Sequence, residues 1–594
     1  MLEISKKRNS VYAMMALLLI TKVLGFLKLR IIAQLFGVSH ELDIFWAAFT
    51  IPDTLFMIIV AGSLNAAIIP ILSDIFYKKG EKELNRFFNN LMIVIGFLIT
   101  IMALVLFVLT PQITRFLITS DTLQNVLNFS NRITPEDFTL FVNLTRIMML
   151  SPILLGISTI VTGYLQVRRQ FFITSLAPLV YNLAMVIGPV IAVKLFGTGV
   201  TGIAISAVVG SLLHFSIQIP SLKRYFTEKV VLGWGSLRKA LRDSEIWKGL
   251  KLAIPRMIAV LGEQVNVMVN TLISFSLAAG ALSAYKFALS LHLFPVNIVG
   301  SAIAQVALPE LAEKCDKESE YKMVFNKFVQ QALYLIFPLV SILLILRLPL
   351  VRLVYGVGEF DWRATILTSW SLVLLSLAVV GQTLSQIILR GFYAIKETWL
   401  PLIAVTIGII VNVVLAYYLT NFFSHYYDWR LILLQMGSQV STANGSGLLD
   451  VIKSFLRDFI IWCTTRGTSD MAVGGLSLSL SIASIVEVVI LIYLLNKRRV
   501  IVTWKETVYP ILVKIINAGL MAFGMYLVFK LFDFKLDTTR TISIIILTII
   551  TSGYGLLSYW LGSKVFGIKE VEYFEEKIIY LTGKFTKRLK GEHI

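Results

Sequence analysis

Residues 12–35 read YAMMALLLITKVLGFLKLRIIAQL, an apolar run that carries Lys22, Lys28 and Arg30 inside it. It exceeds the roughly 20 residues a helix needs to cross hydrocarbon. The basic cluster Lys6, Lys7 and Arg8 precedes it, but the run is longer than a signal-peptide core and no small-residue cleavage pattern follows, so it reads as a retained first membrane helix. Further runs of helix length recur near 44–76, 88–110, 139–165, 171–194, 198–219, 248–275, 281–310, 327–346, 364–389, 398–420, 472–495, 508–529 and 541–561, fourteen in all. Composition agrees: 57% of the 594 residues are apolar, 15% are charged, and mean hydropathy is +0.80. Soluble domains carry about 25% charged residues. An ordinary soluble protein, a disordered chain, collagen and a coiled coil are all excluded, and the fold class is an all-α polytopic membrane protein. Pro52, Pro152, Pro255 and Pro295 lie inside runs and predict kinks.

The 54 basic and 35 acidic side chains leave a net charge of +19. Lys and Arg concentrate in alternate loops: Lys6–Arg8, Lys78 to Arg86, Arg168 and Arg169, Lys223 to Lys251, Lys314 to Lys327, Lys396, Lys497 to Lys505, and the tail after Lys564. Cytoplasmic loops carry that excess. Loops poor in Lys and Arg, such as Ser39–Asp43, Ala278–Gly280 and Gly356–Asp361, then face outward, and both termini lie on the cytoplasmic side of a cell membrane. Charge spread over so many loops is a topology signal, and it excludes a nucleic-acid patch, which would gather it on one surface. Cys315 falls inside and Cys463 outside, too few and too far apart for a disulfide framework or a thiolate metal site.

Two segments are neither loop nor span. Residues 421–470 form an outward insertion whose stretch Leu448 to Trp462 sets Leu448, Ile452, Phe455 and Phe459 on one helical face, as in a helix lying on the outer interface. The basic tail 563–594 mixes Tyr573, Phe574 and Ile578 with Lys584, Lys587 and Arg588, which suits either an interfacial helix over anionic lipid or a solvated anchor.

An internal repeat organises the rest. Gly62-Ser63 followed by Pro70-Ile71-Leu72-Ser73-Asp74 corresponds to Gly300-Ser301 followed by Pro309-Glu310-Leu311-Ala312-Glu313, each leading into a basic loop. Gly163 to Arg168 corresponds to Gly391 to Lys396, with Asn182 and Asn412 downstream. Six spans separate the copies, so they share one orientation: a parallel repeat with a pseudo-twofold along the membrane normal. The expected parts are an N-lobe over 1–220, a basic linker over 221–247, a C-lobe over 248–496 that includes the insertion, two further helices over 497–562, and the tail. Transporters built this way hold substrate between their lobes, and inherited packing without transport is the competing reading.

Ionisable residues inside spans are costly unless they face protein or water. Lys22 and Lys28 are about 120° apart on an ideal helix, so they either line one cavity or pair with Asp43 or Asp53. Arg256 and Glu263 lie seven apart in the seventh run, as an ion-pair site would, and Lys286 lies one turn before Ser290. Concentrated positive charge suits an anion headed by phosphate. The five histidines lack ligand spacing, and no Gly-rich phosphate loop or nucleophile elbow is present, so neither an enzyme, a cofactor nor a metal site is expected. His292 reads as an ordinary polar residue in the packing. Energy would come from a gradient, the membrane potential, or the substrate's own flow.

Lys22-Val-Leu-Gly-Phe-Leu-Lys28, Leu35-Phe-Gly37, Leu42-Asp43-Ile-Phe-Trp46, Ile51-Pro52-Asp53, Pro70-Ile-Leu72, Ala177-Pro178-Leu-Val-Tyr-Asn182 and Gly391-Phe-Tyr-Ala394 with Thr398 and Pro401 resemble the MurJ (MviN) lipid II flippases of the MATE-like exporter superfamily. The likeness spans nearly all of 8–562 except the insertion. It implies fourteen helices, two six-helix lobes around a cationic cavity, a lipid-tail groove formed by the last two helices, and export of an undecaprenyl-diphosphate-linked peptidoglycan precursor. The partners it implies are that anionic glycolipid, membrane lipids and cell-wall synthesis proteins. Alternatives are a polysaccharide-unit flippase, a multidrug exporter, which would need an acidic cavity, and a non-transporting scaffold. The resemblance places Lys22, Lys28, Asp43 and Asp53 in its motifs, and with the in-span Lys286, Arg256 and Glu263 they make up the candidate substrate-cavity residues. Family arginines are replaced near Phe56 and Met57 and at Ser290, and acidic positions some members use for sodium appear as Asn270 and Ala416, so no sodium site is expected.

Overall fold

A computed structural model describes residues 2–119, 134–226, 233–441, 445–538 and 540–576. Every regular element among them is helical. The long helices are α1 (Leu2–Phe36), α2 (His40–Phe56), α3 (Asn65–Lys79), α4 (Glu81–Thr114), α5 (Pro135–Met148), α6 (Leu150–Val167), α7 (Phe171–Phe196), α8 (Thr201–Ser216), α9 (Ser244–Phe275), α10 (Ala281–Pro295), α11 (Ser301–Glu313), α12 (Glu318–Ile345), α13 (Trp362–Ala394), α14 (Trp399–Ser424), α15 (Tyr426–Ser441), α16 (Gly445–Thr464), α17 (Val473–Arg498), α18 (Tyr509–Lys535) and α19 (Thr541–Val565). Twelve stretches among the described residues are long and apolar enough to cross a membrane. Two more long helices, α1 and α9, occupy the first and seventh positions of the predicted series. They are the helices that carry Lys22, Lys28, Arg30, Arg256 and Glu263. The polytopic all-α class therefore stands.

Some spans are built from two helices joined through π turns. Met57–Leu64 connects α2 to α3, and Val296–Gly300 connects α10 to α11 directly after Pro295. Proline has no N–H to donate, which breaks the regular ladder, and single π turns are a common way to absorb the break. Both π turns fall at the repeated Gly-Ser pairs.

A second correspondence moves the register of the repeat. Arg169 and Lys396 both adopt left-handed backbone, φ 60° and 59°. Around them Gln170 N donates to Leu165 O and Arg169 N to Gln166 O, while Glu397 N donates to Phe392 O and Lys396 N to Tyr393 O. These are the same helix-terminating turn. Arg169, rather than Arg168, is the counterpart of Lys396.

The helices group into two compact units. The first comprises 1–283 with 355–364 and 468–470; the second comprises 284–354, 365–467 and 471–594. In the first unit, the three loops read as outward-facing meet one another. Glu359 N donates to Gln34 O at 3.0 Å. Gly37 and Gly358 both have positive φ, 57° and 66°, and a Cβ on either would run into the backbone of the other loop, at Glu359 or Gln34. Only glycine permits both the conformation and the approach.

In the second unit the insertion is the hairpin α15–α16. Its inner face packs aromatically, with Phe422 stacked on Trp429 at 5.5 Å and Phe455 edge-on to Trp462 at 6.0 Å. Phe459 joins this cluster as its spacing predicts, and the Leu448 side chain lies outside the described residues. Leu456 and Ile460 form a further exposed apolar strip. The first part of the tail is seated: Ile568, Val571 and Phe574 pack on Tyr334, Met521, Met525 and Tyr559. Buried Lys514 holds this segment, bonding Gln330 at 2.5 Å and Glu570 at 3.1 Å. The remainder of the predicted tail helix, 577–594, lies outside the described residues.

Candidate functional site

Within the first unit, α2, α6, α7 and α8 enclose a cavity of about 240 Å³. Three prolines line it, Pro52, Pro152 and Pro178, one from each of the first three helices. A proline ring displaces the preceding turn and holds helices apart, which is why the void opens there. Asp53 is the acidic group on the wall, and Tyr181, Asn182 and His214 supply the other functional groups used below.

These groups are held from behind. The Lys28 ammonium of α1 stands 5.9 Å from the centre of the Tyr181 ring, and Asp53 lies within electrostatic reach of both. Asn182 Nδ2 donates to the Thr21 carbonyl at 3.4 Å, fixing α7 against α1. His214 Nδ1 is 2.7 Å from Ser158 Oγ, and Gln218 Nε2 donates to that same hydroxyl at 2.7 Å. The wall thus combines a carboxylate, an amide and an imidazole around an apolar hollow, with the Lys28 cation behind Tyr181.

Size decides what this hollow can do. Pockets for drug-sized ligands run to about 300–1,000 Å³, so a lipid-linked disaccharide does not fit inside. The cavity can act as a mostly apolar recess whose few polar groups meet one end of a larger molecule.

Of the seven residues singled out in the sequence, the structure brings Lys28 and Asp53 together here. Lys22 is exposed on α1, which runs unbroken through Gly25, so the two lysines keep their wide angular separation. Asp43 is buried, 2% exposed, and engages another element: its carboxylate accepts from Gly280 N at 2.6 Å, Ser283 N at 2.7 Å and Ser283 Oγ at 2.6 Å. Those donors form the entry and first turn of α10, where unpaired N–H groups favour an anion. Glu263 is exposed on α9, and Lys286 is half-buried on α10. Arg256 lies on α9 with its side chain outside the described residues. Sequence reasoning passed over Tyr181 and His214 as site residues. Asn182 carried a signal, its place in the repeat.

A family model described as Lipid II flippase MurJ matches residues 32–428. A Lipid II flippase MurJ of Burkholderia cenocepacia is 26% identical over 402 residues, 67% of this chain and 75% of that protein. A probable lipid II flippase MurJ of Buchnera aphidicola is 27% identical over 412 residues, 68% and 77% of the two chains. Among solved structures, a lipid II flippase MurJ in an inward closed conformation superposes with a TM-score of 0.68 at 21% identity, covering 93% of this chain and 98% of that one. An inward-facing multidrug resistance MATE family transporter of the MOP superfamily gives 0.59 at 13% identity, over 80% and 94%. The family match ends at 428, where the α15–α16 hairpin begins, and the shared fold extends well beyond it. This chain belongs to the MurJ lipid II flippase family.

Proposed function

We propose that this chain moves lipid II, a polyprenyl-diphosphate-linked peptidoglycan precursor, from the cytoplasmic to the outer leaflet of the cell membrane by alternating access. The family match over 32–428 carries this reading. The Lys and Arg bias of alternate loops supports a cytoplasmic placement of both termini, and the meeting of the three Lys- and Arg-poor loops is consistent with it. The six-plus-six lobes and the two added helices are the organisation proposed from the repeat, with the hairpin lying on the outer interface.

In this reading Lys28 meets the diphosphate and Lys22 guides it. Asp53 holds Lys28 when no substrate is present and is displaced by the stronger anion. Lysine acts as a point charge, without the bidentate fork of arginine, so the grip is electrostatic more than directional. Moving two negative charges out of a cell held at roughly −100 mV inside is favourable by about 4–5 kcal/mol. That suffices to drive the direction without covalent chemistry. Arg256, Glu263 and Lys286 are proposed as further charged contacts, and cell-wall synthesis proteins would supply and consume the substrate. A polysaccharide-unit flippase would share charge and topology, but the family match favours lipid II.

The test is flipping in proteoliposomes holding fluorescent lipid II, read by headgroup accessibility. Lys28→Ala should lower the initial rate at least tenfold in protein that still folds and reconstitutes, and Lys28→Arg should retain most of it. Wild-type protein that flips no lipid II, or a Lys28→Ala variant at full rate, would sink the assignment.

A further inference from the structure

The helix α17 carries an acidic side chain in its middle, Glu487. It stands eleven residues before Arg498, about 16 Å along the axis, and so lies at hydrocarbon depth. An ionisable group there needs a reason, because lipid does not solvate it. Ser385 Oγ of α13 donates to Glu487 Oε1 at 2.5 Å, and Ser385 is 8% exposed. On the other side α14 approaches through Gly408. A Cβ there would lie 3.2 Å from Glu487 Cβ and 3.3 Å from Oε2, so no room remains on that side for a hydrated metal ion.

Ser385 belongs to a polar stripe on α13. Gln382, one turn earlier, has its Oε1 2.9 Å from Nε2 of His292, which is fully buried on α10, and Gln386 accepts from Ser301 of α11 at 3.1 Å. Two titratable side chains from different helices, His292 and Glu487, thus meet adjacent turns of one helix, all within the second unit. The other charged groups on the surrounding helices are Lys286 of α10, Glu310 and Glu313 of α11, Glu318, Glu320, Lys322 and Lys327 of α12, and, on α13, Arg363 at its outer end and Arg390, whose guanidinium lies 5.9 Å from the Tyr393 ring centre. Helix α14 contains no Asp, Glu, Lys, Arg or His, and its Tyr417 and Tyr418 are its titratable groups.

The hydroxyl of Ser385 is the telling contact. A hydroxyl can donate to a carboxylate or accept from a carboxylic acid, so the Glu487–Ser385 contact survives either protonation state with one rotation of a hydrogen. We propose that Glu487, with Ser385, is a proton-binding site in the membrane interior, separate from the Lys28–Asp53 cavity, and that it loads and releases one proton per transport cycle. The coupling rests on the flippase reading; the proton site does not.

Two measurements on the full chain in proteoliposomes separate them. A hydrophobic carbodiimide, which reacts with protonated carboxyls, is applied between about pH 5 and about pH 9, bracketing a carboxyl raised by an apolar setting, and adducts are located by mass spectrometry. The Glu487 peptide should be modified at low pH, with labelling falling about tenfold per pH unit above a midpoint, and Ser385→Ala should move that midpoint by at least half a unit. No adduct at Glu487, or labelling that ignores pH, overturns the site. In the second measurement an imposed pH gradient should change the lipid II flipping rate at least threefold in wild type, and Glu487→Gln should remove that response. A pH-dependent adduct with no gradient response in wild type overturns the coupling, as does a folded Glu487→Gln variant that still responds. Should Glu487→Gln fail to fold, Ser385→Ala decides the coupling: its gradient response must shift with its labelling midpoint. Absence of flipping under every condition defeats the flippase reading and leaves the labelling to decide the proton site.

Discussion

Asp43→Asn is a near-isosteric change whose effect can be worked out from three hydrogen bonds. Asp43 sits in the first turn of α2, which Ser39 caps by accepting from Leu42 N at 3.3 Å, and its carboxylate also receives Gly280 N, Ser283 N and Ser283 Oγ. It therefore lies at two helix starts at once, its own and that of α10. An asparagine can keep its one oxygen on Ser283, but its amide nitrogen then faces the Gly280 N–H, donor against donor. The loss is one charge-assisted bond of about 1.5–3 kcal/mol, plus about 1–3 kcal/mol for a buried N–H left without a partner. The sum, about 2.5–6 kcal/mol, raises the open population of the 278–283 turn by roughly two to four orders of magnitude. Hydrogen–deuterium exchange in lipid nanodiscs reads this directly. The peptide containing Gly280 and Ser283 should lose protection by that factor while peptides from α13 and α18 do not change. Wild-type protection at Gly280 in the asparagine variant would refute the argument that this carboxylate holds the turn.

Other consequences follow from the same contacts. Gly358→Ala forces a Cβ into left-handed backbone and against the Gln34 carbonyl; the backbone term alone is about 1–2 kcal/mol, and a lowered melting temperature should register it. Lys514→Met strands Glu570 in a mostly buried position, at about 3–5 kcal/mol for a broken buried pair, so limited proteolysis should cut near 566–576 markedly faster. Removing residues 426–465 should leave the rest folded and thermally stable, because Ser424 and Gly467 already touch, Gly467 N donating to Ser424 Oγ at 2.6 Å. Lys22→Ala should leave melting unchanged, since the side chain is exposed, yet reduce lipid II flipping several-fold in the accessibility assay.

The sequence by itself determined the class of this protein. Apolar runs of membrane length and the Lys and Arg bias between them are local properties, written into consecutive residues and set by the bilayer as a solvent. The repeat was legible too, because Gly-Ser pairs and the turn after Gly163 and Gly391 impose backbone conformations that survive divergence. Its register was not, since whether Arg168 or Arg169 matches Lys396 depends on which residue turns left-handed, a geometric fact with no signature in residue type.

The partners of the charged groups were decided only by tertiary structure. Lys22 and Lys28 look alike in sequence; one is exposed and the other stands beside Tyr181, from a helix about 150 positions later. Asp43 and Asp53 also look alike, yet one is bound by the start of α10 and the other lines a proline-opened cavity. Glu487 drew no notice as a single acid in an apolar run, until folding set it against a serine on α13 and a glycine on α14. A side chain's charge is local, but its energy in a membrane is fixed by what the fold places within a few ångströms of it.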